Sequence, residues 1–199
     1  MLLVGLTGNI GMGKSEVLSV FRSLGAVTLD SDRIVEILLN EEKVIESIRA
    51  MFGDEVILSG NKLDKKAVAA KIFSDHAAKQ KLEDLLHPLV FERVDDFIKK
   101  MKDKDRIVIV EVPLLFEGDY QSGFNRTITV FTPEATALKR LADAGLPADD
   151  AQARLAAQLP IRIKKERADY IVDNSGSKEE TAKQVEAIYR LLTDEMKKG

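Results

Sequence analysis

The stretch Gly5–Val17, "GLTGNIGMGKSEV", places three glycines, a lysine and a serine within the eight positions from Gly8 to Ser15. Ahead of it, "LLVGL" (Leu2–Leu6) is a short apolar run that suits a buried parallel strand feeding a tight turn. Behind it, Val17, Val20, Phe21 and Leu24 recur at helical spacing and Gly25 follows as a C-terminal cap. The spacing predicts a helix from about Lys14 to Leu24. Between the two, "GNIGMGKS" has the spacing of a P-loop: a glycine, four residues, then Gly13, Lys14 and Ser15. Glycines let the backbone curl until successive N–H groups converge on phosphate oxygens, and the dipole of the following helix points at the same anion. In such a loop Lys14 reaches the β- and γ-phosphates and the Ser15 hydroxyl ligates Mg²⁺. The loop alone does not separate a kinase from a GTPase or a motor ATPase.

Working outward, "AVTLD" (26–30) reads as a second short strand, and the pattern from Ser31 to Lys104 is helical almost throughout. Its pieces lie near Ile34–Leu39, Val44–Phe52, Lys65–Phe73, Ala77–Leu86 and Leu89–Met101, with Asp64 as N-cap of the third. Strand signals return at Arg106–Val112, Arg126–Phe131 and Asp169–Asn174. Helical patterns fill Pro133–Asp143 and Asp149–Gln158, followed by the charged run "IRIKKER", and a last amphipathic helix covers about Lys178–Lys197. Five short strands alternating with helices predict an α/β fold, a five-stranded parallel sheet with helices on both faces. The 31–104 block is too long for one crossover. The expected organisation is a core of 1–31, 105–132 and 169–199, a helical insert over 32–104, and a small helical flap over 133–168.

The totals limit the function. The 199 residues are 45% hydrophobic and 32% charged, enough for a sizeable core. Thirty basic against 33 acidic side chains leave a formal charge of −3, so there is no global basic field for a nucleic-acid backbone. With no cysteine, disulfides, thiolate metal sites and cysteine nucleophiles are excluded together. The longest apolar stretch, Ile107–Phe116, contains Glu111 and Pro113 and is half of the ~20 residues that span a bilayer. No membrane association and a cytoplasmic location are expected; the oligomeric state is not readable.

The second strand ends in "LDSDR", which sets Asp30 and Asp32 at the carboxyl edge of the sheet, where open α/β folds bind ligands. On an extended strand the two would share a face, and their repulsion could raise one pKa. Asp32 is expected to be the base that accepts a proton from an acceptor hydroxyl, with Asp30 as cap or orienting group. Glu111, emerging from an apolar strand, stands where an acid holds Mg²⁺ through water. Pro113 ends the pairing and turns the chain, so Leu114–Glu117, Leu115 included, should line the cleft. Pro88 biases His87 away from helical dihedrals, which predicts a break between helices there and a substrate-side role for the ring.

Together these residues resemble the dephospho-CoA kinases. "GLTGNIGMGKS", "LDSD", "LLHPLV", "VPLLFE", "LKRL", "ARLAAQLP" and "ADYIVDNSGS" occur in that family's order and spacing over nearly the whole chain. The resemblance implies ATP-dependent phosphorylation of the ribose 3′-hydroxyl of dephospho-CoA, the last step of coenzyme A biosynthesis, with a core, a helical CoA-binding insert and a lid. It assigns Asp32 to activation of the hydroxyl. Gly8, Asn9, Ile10, Gly11, Met12, Gly13, Lys14, Ser15 and Glu16 fall to the ATP site. Arg140 and Lys164 become basic positions of the lid region, Asn174 lies near adenine, and Arg154 and Gln158 belong to an "RxxxQ" stretch. Three departures stand out. The family more often reads "GGIGSGKST", so Asn9, Met12 and Glu16 replace glycine, serine and threonine; Glu16 adds negative charge in the first helical turn. Glu111 stands where aspartate is common. After "LKRL" a second lid arginine is usual, whereas this chain reads "ADAGLP", with Asp143 and Ala144; Arg162 or Lys165 are candidates to compensate. Another small-molecule P-loop kinase, or a regulatory ATP-binding protein with weakened transfer, is the alternative.

Overall fold

A computed structural model describes residues 1–101 and 105–198, apart from the side chains at 73, 74 and 76. The expected end of the insert at Lys104 lies outside the described residues. The chain begins with β1 (Leu2–Thr7), α1 (Lys14–Ser23) and β2 (Val27–Asp30). Then come α2 (Ser31–Leu38), α3 (Glu42–Phe52), the hairpin strands β3 (Ile57–Leu58) and β4 (Lys62–Leu63), α4 (Lys65–Ser74) and α5 (His76–Met101). The remainder holds β5 (Ile107–Glu111), β6 (Arg126–Phe131), α6 (Glu134–Asp143), α7 (Ala148–Ala156), α8 (Ile161–Arg167), β7 (Tyr170–Asp173) and α9 (Lys178–Lys198). Two compact units result: Met1–Asp30 with Met101–Gly199, and Ser31–Lys100.

The first unit is built on a five-stranded sheet in the order β2-β5-β1-β6-β7, every pair parallel. Its two central neighbours explain the near-continuous apolar runs: β1 and β5 are buried along their whole length. Val17, Leu18 and Phe21 of α1 and Val185, Ile188 and Leu192 of α9 close one core with Val4, Leu6, Ile109 and Ile128. Helices cover both faces of the sheet, as the alternation of elements predicts. The register pairs Glu111 with Leu6 on one side and with Asp30 on the other. Thr7, Glu111 and Asp30 therefore end three adjacent strands at the carboxyl edge.

The second unit is a helical cluster around Ile45, Ile48, Val56, Leu82 and Leu86. Asp64 caps α4 as expected, its side chain accepting from the N–H groups of Lys66 and Ala67. The β3–β4 hairpin is not foreseen from the sequence, because strands of two residues carry no readable period; Gly60 and Asn61 turn it at φ 80° and 55°. A larger difference concerns His87. The break expected at Pro88 does not occur: α5 runs as one 26-residue helix through it. Leu82 and Leu86 before the proline are buried in the core, and Leu85, Leu89 and Val90 around it pack against the same cluster, so packing outweighs the local preference. His87 is a half-buried residue inside a helix, not a ring at a junction.

Candidate active site

The strand-to-helix loop folds as its glycines dictate. Gly13 is the N-cap residue of α1 at φ 84°, a left-handed conformation that side chains disfavour. A Cβ added there would overlap the Asn174 amide and come within 3.2 Å of Arg140 Nη1. At Gly8 the constraint is close approach, since a Cβ would lie 2.5 Å from the Val130 carbonyl oxygen. Replacing Gly13 with alanine is expected to weaken ATP binding by roughly tenfold or more while the circular dichroism of the fold is retained. Unchanged affinity in a calorimetric titration would show that Asn174 and Arg140 yield freely.

Lys14 folds back over the loop: its Nζ lies 3.4 Å from the Asn9 carbonyl oxygen and 3.7 Å from Glu111 Oε1. Glu111 is buried at the end of β5, so a carboxylate and an ammonium face each other beside the loop that opens a helix dipole. Ser15, in the first turn of α1, follows Lys14 directly.

Asn174 and Arg140 come to this loop from far along the chain. The Asn174 amide nitrogen donates to the Met12 carbonyl at 3.1 Å, its side-chain oxygen accepts from Thr181 Oγ1 at 2.8 Å, and its main-chain oxygen accepts from Arg140 Nη2 at 2.9 Å. The expected adenine-side residue thus braces the P-loop with its amide. Arg140 Nη1 is a buried donor with no partner among the described residues, close to Gly13. A donor left open next to Lys14 and a helix N-terminus suits a phosphate oxygen.

Other expectations are redistributed. Asp30 and Asp32 do not share a face of an extended strand, because α2 starts at Ser31 and puts Asp32 in its first turn. Leu115 is fully buried, its side chain packed over Gly5, so it fills the core and does not line a cleft. "IRIKKER" is a helix, α8, and Lys164 in it is completely buried, so it presents no lid charge. Its ammonium pairs with Glu117 Oε1 at 2.7 Å and donates to the Pro113 carbonyl at 2.9 Å. Burial pushes its pKa below the ordinary lysine range against the opposing pull of Glu117. Of the candidates to compensate for Ala144, Arg162 pairs with Glu166 at 2.6 Å on the exposed face of α8, and Lys165 sits 3.9 Å over the Phe131 ring. Arg154 is exposed on α7. Gln158 is not: its Oε1 accepts from the Ile10 N–H at 2.9 Å, on the P-loop itself. Glu117, expected to line the cleft, is instead the partner of Lys164, and Thr181 escapes sequence reasoning as a site residue, since it stands in no motif whose chemistry requires it.

A parallel sheet whose first strand feeds a P-loop, with an acid at the end of the neighbouring strand β5 and an arginine laid against the loop, has the build of a P-loop kinase. The dephospho-CoA kinase family model matches residues 2–180. A dephospho-CoA kinase of Aquifex aeolicus is 35% identical over 194 residues, covering 97% of this chain and 98% of the relative. Among solved structures, TT1252 from Thermus thermophilus superposes with a TM-score of 0.82 at 31% identity, covering 97% of both chains. A dephospho-CoA kinase from Campylobacter jejuni gives 0.73 at 26% identity, covering 96% of this chain and 97% of that one. The chain belongs to the dephospho-CoA kinase family.

Proposed function

We propose that the protein transfers the γ-phosphoryl group of ATP to the ribose 3′-hydroxyl of dephospho-CoA, giving CoA and ADP. Family membership supports the identity of the acceptor. The observation that carries the transfer reading is the convergence on one loop of Lys14, the buried open donor of Arg140 and the carboxylate of Glu111.

ATP lies along Gly8–Glu16, its phosphates on the loop N–H groups. Lys14 and Arg140 follow the charge that spreads over the transferring phosphoryl group. Asp32 accepts the proton of the 3′-hydroxyl as its oxygen bonds to the γ-phosphorus and the bond to the ADP oxygen breaks. Asp30 orients this end of the chain, and His87, on α5 of the helical unit, contributes to acceptor binding. Residues 133–168 act as the lid. The donor set fits Mg²⁺, which takes one or two protein oxygens and keeps several waters: the Ser15 hydroxyl and, through water, Glu111 would hold it. When bound, the ion neutralises charge on the β- and γ-oxygens.

The test is ADP release from ATP·Mg²⁺ with and without dephospho-CoA, with adenosine and AMP as control acceptors. Stimulation by dephospho-CoA alone, with CoA as product, is expected. ATP binding without acceptor-dependent ADP release would overturn the transferase assignment, and stimulation by adenosine or AMP instead would overturn the acceptor.

A further inference from the structure

Behind the P-loop, six groups from three distant stretches of the chain form a circuit of hydrogen bonds within the first unit. Thr7 Oγ1, at the end of β1, donates to the Pro113 carbonyl at 3.1 Å, and Lys164 Nζ donates to the same oxygen at 2.9 Å. Lys164 is also paired with Glu117 Oε1 at 2.7 Å. That carboxylate oxygen accepts from the Leu159 N–H at 3.0 Å, and the Leu159 carbonyl accepts from Asn9 Nδ2 at 3.1 Å. Asn9 is two residues from Thr7, so the circuit closes around Gly8. Beside it, Gln158 Oε1 takes the Ile10 N–H. Thr7, Asn9 and Lys164 are all buried.

We propose that Lys164 and Glu117 are positioning residues for the nucleotide: their ion pair fixes the α7–α8 turn, and the turn fixes the Asn9 side chain and the Ile10 N–H of the P-loop. The inference rests on the reading of Gly8–Ser15 as the ATP site. With the Ile10 N–H held by Gln158 and the Asn9 side chain held by Leu159, the first half of the loop is anchored, and a P-loop binds phosphate only while the N–H groups that follow point inward, so this anchor sets ATP affinity. Lys164 cannot act by touching ATP, because no part of it is exposed. A buried ion pair adds little net stability over an apolar pair of equal size, since desolvation offsets the attraction. Its effect is therefore expected in loop geometry more than in the melting temperature. Asn9 contributes a link that the glycine more usual in this family lacks.

The experiment measures calorimetric binding of a non-hydrolysable ATP analogue with Mg²⁺, for the wild type, Asn9→Ala, the paired variant Lys164→Met/Glu117→Leu, and all three changes combined. Changing Lys164 and Glu117 together leaves no orphaned charge and keeps the site filled with apolar atoms, so the fold is retained, while the Leu159 N–H loses its acceptor. The paired variant is expected to bind about tenfold more weakly, the size of one charge-assisted hydrogen bond. At saturating ATP its kcat should stay near wild type, so the change falls on KM for ATP. Because Asn9 acts at the end of the same circuit, the combined variant should also lose about tenfold, not the roughly hundredfold of independent effects. Wild-type affinity in the paired variant, or a multiplicative loss in the combined one, would overturn the proposal. A wild-type chain that failed to bind the analogue would overturn the ATP-site reading and this proposal with it.

Discussion

Replacing Asp32 with asparagine is expected to leave ATP binding intact and to lower turnover with dephospho-CoA by about 10²–10⁴-fold, the usual worth of a positioned general base. The substitution keeps the size of the side chain and its place in the first turn of α2, and removes only the capacity to accept a proton. The ribose hydroxyl is a poor nucleophile while protonated, so the loss should fall on kcat, with KM for ATP unchanged. Asp30 controls for position: it ends β2 two residues earlier, paired in register with Glu111, and Asp30→Asn is expected to cost less. Steady-state kinetics with both substrates varied decides this. Near wild-type turnover in Asp32→Asn would remove Asp32 from the role of base.

Arg140→Met is expected to have a comparable effect by a different route. An arginine that neutralises charge on a transferring phosphoryl group is worth on the order of 10³-fold in other P-loop enzymes. Here the side chain also ties Asn174, and through it Met12, to α6, so ATP affinity should fall together with kcat. Arg140 Nη1 is a buried open donor among the described residues, beside Gly13, so the substitution takes away a charge placed at the phosphate loop. Arg140→Lys should recover little, because a lysine ammonium cannot serve Asn174 and a phosphate oxygen as a planar fork does. Full activity of Arg140→Lys would show that the second guanidinium nitrogen has no role in transfer.

Where sequence reasoning succeeded, the determinants are local. The P-loop is legible because a phosphate cradle needs glycines, a lysine and a hydroxyl within eight residues of one another, between a strand and a helix. The five strands of the large sheet are legible because parallel strands buried on both faces must be apolar throughout. The Asp64 cap is legible from its position before a helical run. His87 was misplaced because the preference of a residue before proline is real but small, and contacts from Leu82 to Val90 hold the helix through it. A shared face for Asp30 and Asp32 required an extended strand through Asp32, whereas the chain turns helical at Ser31, where the helical pattern of the sequence also begins.

The sequence by itself thus determined the five strands of the large sheet, the phosphate loop with Lys14 and Ser15, and the acids that end β2 and β5. Each follows from residue type at short spacing. Only the tertiary structure decided what surrounds the loop: that Asn174 braces Met12, that Arg140 leaves one donor open beside Gly13, and that Lys164 is buried against Glu117. These partners lie tens to more than a hundred residues apart in sequence. Burial turns the same lysine or glutamine from a solvated charge or amide into a fixed hydrogen-bonding group, and no local pattern records which side chains the packing will bury.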